Sequence, residues 1–484
     1  MRIHSFFLAL GLGGLALLSA CGTRPINGGG TTGGNTAPLT LALTAPFTLG
    51  TSNNPPAGIT VLSFEITITS AVLQPGNVSL IDSPQTIELT QLQTDSVLLT
   101  SKTVATGNYT SLVLTFANPD MTIYNGAGSV ANCTVGTVCE FGPTLSVSSV
   151  TLSPALTLTA NTPEALGLVL SLNDSLQPDL SLNLGAGLTF ESFTSVSSSV
   201  ELFPLNTVAG VIAALGTNQI TLNTTAGASL SVATTSSTQY SFPSTVCAAN
   251  DSSCLAIGQV VSADMSVFGD GSIQANTVTF EDNSGDPILA GTIVAIASGS
   301  NPPQFSFVVH GQAPATAGVS IDNFATVSLQ TPTTYLIDAD DLTIPAGYAF
   351  ASTADLVVGQ EVLVRGNTIQ ATPVNNAPDT IAISTNQLIL RQSQWTANVG
   401  LPDAGTGAFS LTSLPNLFTS LTPTAINNLF VSTPSQTQFV FTSSTTLTAG
   451  TSATVKGLIF SNTSNTVGSP SDVASIVQGA PNLN

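Results

Sequence analysis

Residues 59–73 read ITVLSFEITITSAVL, and this stretch decides the fold. It is dense in Ile, Val, Thr and Phe, the β-branched and aromatic residues that fit a pleated surface. No apolar spacing of three or four residues is sustained along it, and Pro75-Gly76 closes it with a turn. The segments around it repeat the pattern: QTIELTQL (85–92), SVLLT (96–100), YTSLVLTFA (109–117), Thr/Leu/Ser-rich runs over 144–159, ALGLVLSL (165–172) and 188–203. Gly107-Asn108, Asn118-Pro119 and Asn125-Gly126 punctuate them, and capped helix starts of useful length are missing. Short strands at this spacing predict an all-β chain built as sandwich or barrel.

Composition agrees. The 484 residues are 42% hydrophobic but only 7% charged, far below the usual quarter. Ser, Thr, Asn and Gly fill the polar positions, and recurring strand-sized apolar runs argue against disorder. The formal net charge is −20. Arg24, Lys102, Arg365, Arg391 and Lys456 are the Lys and Arg residues beyond residue 20, and they do not cluster. Nucleic acid and anionic headgroups call for clustered cations, so neither is an expected partner of the folded part.

The N-terminus carries an address. Arg2 precedes the apolar segment Phe6–Leu17, and Leu18-Ser19-Ala20-Cys21 follows it. This layout is a secretory signal whose cleavage site resembles the bacterial lipobox, Leu-small-small-Cys. The resemblance implies removal of residues 1–20, a diacylglycerol thioether on Cys21 and acylation of the new amino terminus. Gly22 after the cysteine points to the outer membrane by analogy with diderm bacteria. The competing readings are an ordinary signal cut at Ala20 and a membrane helix, for which the stretch is short. Residues 21–38 then read as a lipidated Cys and a flexible Gly/Thr/Asn linker.

Parity organises the other cysteines. Setting Cys21 aside leaves Cys133 with Cys139 and Cys247 with Cys254, two local pairs expected to be disulfides in an exported compartment. The spacing is not that of a zinc site, and no metal or cofactor is expected.

The first domain, 39–204, resembles the bacterial domain-of-unknown-function family 4382 through TITSAVLQPG (67–76), IELTQLQTDSVLL (87–99), ATGNYTSLVLTF (105–116) and LTLTANTPEALGLVLSLNDSL (156–176). Glu88 and Ala105-Thr106-Gly107 depart from the family pattern. The resemblance implies a β-sandwich and no catalytic residues. Residues 205–286, 287–394 and 395–484 read as three repeats. They open on AGVIAALG (209–216), AGTIVAIA (290–297) and TANVG (396–400). Each then shows Thr-x-aromatic (Thr238–Tyr240, Thr333–Tyr335, Thr437–Phe439) and a Gly turn before a Val strand: Gly258-Gln259, Gly359-Gln360 and a loosened Gly450. This resembles a second such family, number 5666, and implies small barrels of about five strands, similar to oligonucleotide/oligosaccharide-binding barrels. The three aromatics should face their barrel interiors, and each unit should bury its own core.

Chemistry is sparse. His310, in FSFVVHGQ (305–312), is the only histidine beyond the signal, and no Gly-x-Ser-x-Gly elbow accompanies it. It reads as a strand or turn histidine. Asp338, Asp340 and Asp341 are the densest acid cluster, either solvated, a weak Ca²⁺ site or an acid pair for glycoside hydrolysis. Glu281, Asp282 and Asp286 read as linker acids. Trp395 is a core residue or a sugar-stacking platform, with packing the expected role. Phosphate-loop, haem and nicotinamide motifs are missing. The expected function is a lipid-anchored, non-catalytic structural or interaction protein of the cell envelope. Its partners are the membrane through the lipid and an envelope protein or polysaccharide. The alternative is a carbohydrate-binding or adhesive protein.

Overall fold

The computed structural model describes residues 35–46, 56–128, 130–193, 197–224, 229–314, 316–339, 342–372, 380–403, 406–419, 425–440, 442–443, 446–462 and 469–479. The chain is nearly all β. No helix among these residues is long and apolar enough to cross a membrane.

The first part is a sandwich. The decisive stretch forms strand Ile59–Gln74, paired antiparallel with Ser111–Asn125. Gln85–Glu88, Thr137–Phe141 and Ser149–Leu152 extend that sheet. In the facing sheet, Thr36–Thr44 runs parallel to Glu164–Leu170 and antiparallel to Val97–Ala105. Alternation fills the space between the sheets: Leu39, Leu41 and Leu43 from one side meet Phe64, Ile66, Ile68, Leu112 and Leu114 from the other. A register shift between Val61 and Ser63 takes Leu62 out of that alternation, and it joins a different core.

Three closed sheets follow. The first barrel uses Glu201–Gly216, Gln219–Thr224, Ser229–Ala233, Val260–Phe268 and Ile273–Asp282. The second uses Ile288–Ala297, Gln304–Ala313, Phe324–Ile337, Glu361–Arg365 and Thr380–Arg391. The third uses Ser393–Val399, Phe409–Thr412, Leu429–Ser432, Ser452–Phe460 and Ser471–Gly479. In each, the third strand pairs in parallel with the fifth and closes the ring, at Val232↔Ile273, Ala325↔Ile381 and Phe430↔Ser471.

The Gly-Gln motif has a local cause. Gly258, Gly359 and Gly450 all have φ near +90° (89°, 91° and 85°), where only glycine is unstrained. Their N–H groups donate to Ile212, Ile293 and Val399 carbonyls at 2.8, 2.8 and 2.7 Å. The same three residues donate back to Gln259, Gln360 and Thr451 carbonyls at 2.9, 2.8 and 2.8 Å. Gln259 clamps the preceding turn, accepting from Ala256 N–H at 2.7 Å and donating to Cys254 C=O at 3.0 Å. Gln360 does the same to Val357 and Asp355, at 2.8 and 3.0 Å. Thr451 is too short for this clamp, which is why the third motif reads as loosened.

The Thr-x-aromatic segments are also equivalent. Tyr240, Tyr335 and Phe439 lie on stretches parallel to the last barrel strand, opposite Val278, Leu388 and Val477. Thr238 and Thr437 hydroxyls donate to Ala275 and Ala474 carbonyls at 2.8 and 2.7 Å. The aromatics pack on their barrel cores but are only half-buried.

The units are not self-contained, contrary to the expectation that each buries its own core. Leu458, Phe460 and Val473 of the third barrel belong to the second barrel's core. Leu62 and Tyr124 of the sandwich, with Val294 and Val308 of the second barrel, belong to the third's. Ala42 and Ala165 of the sandwich join the first's. Five-stranded rings carry apolar side chains on their outer faces too, and Ser452–Phe460 is buried on both sides along almost its whole length. Strand Glu201–Gly216 likewise runs straight through residues 204 and 205, and the third barrel begins at Ser393.

Candidate functional site

Of the residues singled out in the sequence, Cys21, Asp340 and Asp341 lie outside the described residues. Cys133–Cys139 and Cys247–Cys254 are both disulfides. The first pins strand Thr137–Phe141 to the loop before it, and the second ties the turn that Gln259 clamps.

Two of the acids read as linker or loop residues, Asp282 and Asp338, are buried and paired with arginines. Asp282 is buried and paired with Arg365 across the first and second barrels. Asp338 is buried facing Arg391 Nε at 3.5 Å, and the Arg391 guanidinium donates to Ser262 of the first barrel at 3.0 Å. Lys456 Nζ donates to Asp95 Oδ2 at 2.6 Å, and Lys102 pairs with Asp82 at 2.6 Å. All four described Lys and Arg residues therefore face one aspartate each. Trp395 is buried against Phe418, with ring centroids 4.8 Å apart and edge-on. Its Nε1–H donates to Gly359 C=O at 2.9 Å. The indole is core and presents no stacking face.

His310 is buried at the seam between the second barrel and the sandwich. Its Nε2 donates to Leu62 C=O at 2.9 Å, and its Nδ1 faces Glu361 Oε2 at 3.2 Å and the Gln91 amide at 2.8 Å. Glu361 also accepts from Thr292 Oγ1 at 2.7 Å. Both ring nitrogens are taken, so neither reaches a nucleophile. Burial alone would lower the histidine pKa. The Glu361 charge and hydrogen bond, with Glu88 and the Leu62 carbonyl, outweigh it and raise the value to about 9.

A second group of acids was not legible in the sequence because its members come from four separate segments. Glu65, Asp120 and Glu140 share the outer face of the larger sandwich sheet: Glu65 is opposite Asp120, and Glu140 is opposite Thr122. The turn before strand Phe324–Ile337 brings Asp322 over them. One carboxylate oxygen each of Asp120, Glu140 and Asp322 lies within 4.8 Å of the others. Burial, then the charges of Asp120, Glu140 and Glu65, push the Asp322 carboxyl up to about 9. Burial, Glu88 and Asp120 push Glu65 up to about 7. The cue in the sequence is weak: single acids inside otherwise neutral strands.

Glu65 also lines a cleft of about 820 Å³ between the sandwich and the first two barrels. Its walls are mainly apolar, among them Val211, Val260 and Ile321, with Asp286, Thr86 and Asn223 as polar members.

These shifts predict a common pH dependence. His310 lies above its unfolded value of about 6.5, so its stabilisation is complete below that pH and is lost as pH rises through about 9. Asp322 and Glu65, with the buried Asp472 raised to about 7 by burial, hold protons that the unfolded chain releases above about pH 4–5. Each removes stability as pH climbs towards its folded value. In chelator-containing buffer, the melting temperature should fall steadily from about pH 5 to pH 9. A melting temperature that rises across that window contradicts the assignment.

No protein-family model matches the chain, and no curated protein matches it in sequence.

Proposed function

We propose that the chain is a lipid-anchored, non-catalytic structural or interaction protein of the cell envelope, held in the outer membrane through Cys21. The observation that supports the non-catalytic part is the use made of the ionisable side chains. The four described Lys and Arg residues and His310 are all engaged in contacts, most of them across the boundaries between units. The resemblances to families 4382 and 5666 add no activity. A polysaccharide ligand is the second reading, favoured by the cleft. Its mainly apolar walls carry a few hydroxyls and amides with the carboxylates of Glu65 and Asp286, a mix that can pack on sugar rings and hydrogen-bond their hydroxyls.

The anchor is tested in a bacterial host that processes lipoproteins. Cys21→Ser should abolish acyl labelling and leave a soluble or uncleaved precursor, while the parent chain partitions with membranes until detergent is added. Full release of the parent chain by high salt alone overturns the anchor. A glycan array probed with the purified chain separates the two functional readings.

A further inference from the structure

We propose that Asp120, Glu140 and Asp322 form a Ca²⁺ site that fastens the sandwich to the second barrel.

The argument starts from Asp322. The residue is 2% exposed, its carboxyl neighbours that of Asp120, and no donor among the described residues reaches its Oδ2. The neighbouring Asp120 carboxylate is itself an acceptor unless a proton lies between the two. Burying an ionisable group without a partner costs several kcal/mol, so such groups are paired, protonated or bound to metal. The backbone holds this one in place. Asp322 N–H donates to Val309 C=O at 2.7 Å, and its own carbonyl accepts from Thr122 Oγ1 at 2.7 Å. Its φ of +77° lies in the left-handed region, which aspartate tolerates better than most residues. The carboxylate is thus held beside Asp120 and Glu140, which are half-exposed.

Charge supplies the second part. Every described lysine and arginine faces an aspartate elsewhere. Glu65 adds a further carboxylate nearby. Donor type selects the ion. Ca²⁺ accepts carboxylate oxygens in flexible geometry, whereas Mg²⁺ demands a near-ideal octahedron and dehydrates reluctantly. One oxygen from each of the three carboxylates lies within 4.8 Å of the others, close enough to share one cation. All donors are carboxylates, which excludes the nitrogen and sulfur sets that zinc favours. Water completes the coordination on the open side. The Cys133–Cys139 disulfide sits directly before Glu140 and restrains the strand that carries it.

The site is independent of the lipid anchor, so its test uses the full chain purified in detergent and titrated with CaCl₂ alone. Isothermal titration should give one Ca²⁺ per chain, and the melting temperature should be higher in Ca²⁺ than in EDTA. Asp322→Asn and Asp120→Asn should each weaken binding at least tenfold and remove the Ca²⁺-dependent shift, with an unchanged circular dichroism spectrum. Mg²⁺ at equal concentration should give a smaller shift. Should Asp322→Asn fail to fold, the half-exposed Asp120→Asn carries the test. No binding at millimolar Ca²⁺ overturns the site. So does unchanged affinity in Asp120→Asn, which would place the ion elsewhere.

Discussion

Replacing Lys456 by methionine is expected to cost about 3–5 kcal/mol, the typical penalty for leaving one partner of a buried ion pair alone. Lys456 sits on a strand of the third barrel and is 3% exposed. Asp95, its partner, belongs to the sandwich. The other oxygen of Asp95 accepts from Asn206 Nδ2 of the first barrel at 2.9 Å. One carboxylate therefore ties three units together. Denaturant unfolding should show a single transition that moves as a whole, because the apolar cores are shared across the same boundaries. The Asp95→Asn/Lys456→Met double variant should recover part of the loss, since it buries no lone charge. A Lys456→Met chain in which only the third barrel melts early, or in which stability is unchanged, would reject the joint.

Trp395→Ala should be of similar size, about 3–5 kcal/mol, the usual range for removing a large buried aromatic. The indole packs edge-on against Phe418 and donates to Gly359, so its loss empties a volume between the second and third barrels. Gly359 shows how close that packing is: a Cβ there would stand 2.4 Å from two Phe418 ring carbons. Trp395→Phe should retain much of the stability, because it loses the Nε1 hydrogen bond but fills most of the space. Equal losses for Ala and Phe would mean that the hydrogen bond, not the packing, holds the seam. Both are read by chemical denaturation with circular dichroism.

Much of the fold could be read locally. Strands follow from β-branched runs broken by turns, because alternation and turn chemistry act over a few residues. The disulfides follow from parity and short spacing. The repeats were visible because Gly258-Gln259 and Gly359-Gln360 each serve one local turn, with a left-handed glycine and a side chain that reaches back three and five residues to cap it. The third unit was faint for the same reason: Thr451 keeps the backbone bonds but cannot make the side-chain cap.

The sequence by itself determined the all-β class, the two cysteine pairs and the order of sandwich before barrels. Only the tertiary structure decided how the units share their interiors and which acids matter. Asp282 and Asp338 look like loop acids until Arg365 and Arg391 are brought to them. Asp322 looks like a turn residue until its turn lies across the sandwich sheet and meets Asp120 and Glu140. Burial, pairing and pKa depend on what arrives from distant segments, and a period of two along a strand does not say which neighbour will cover its outer face.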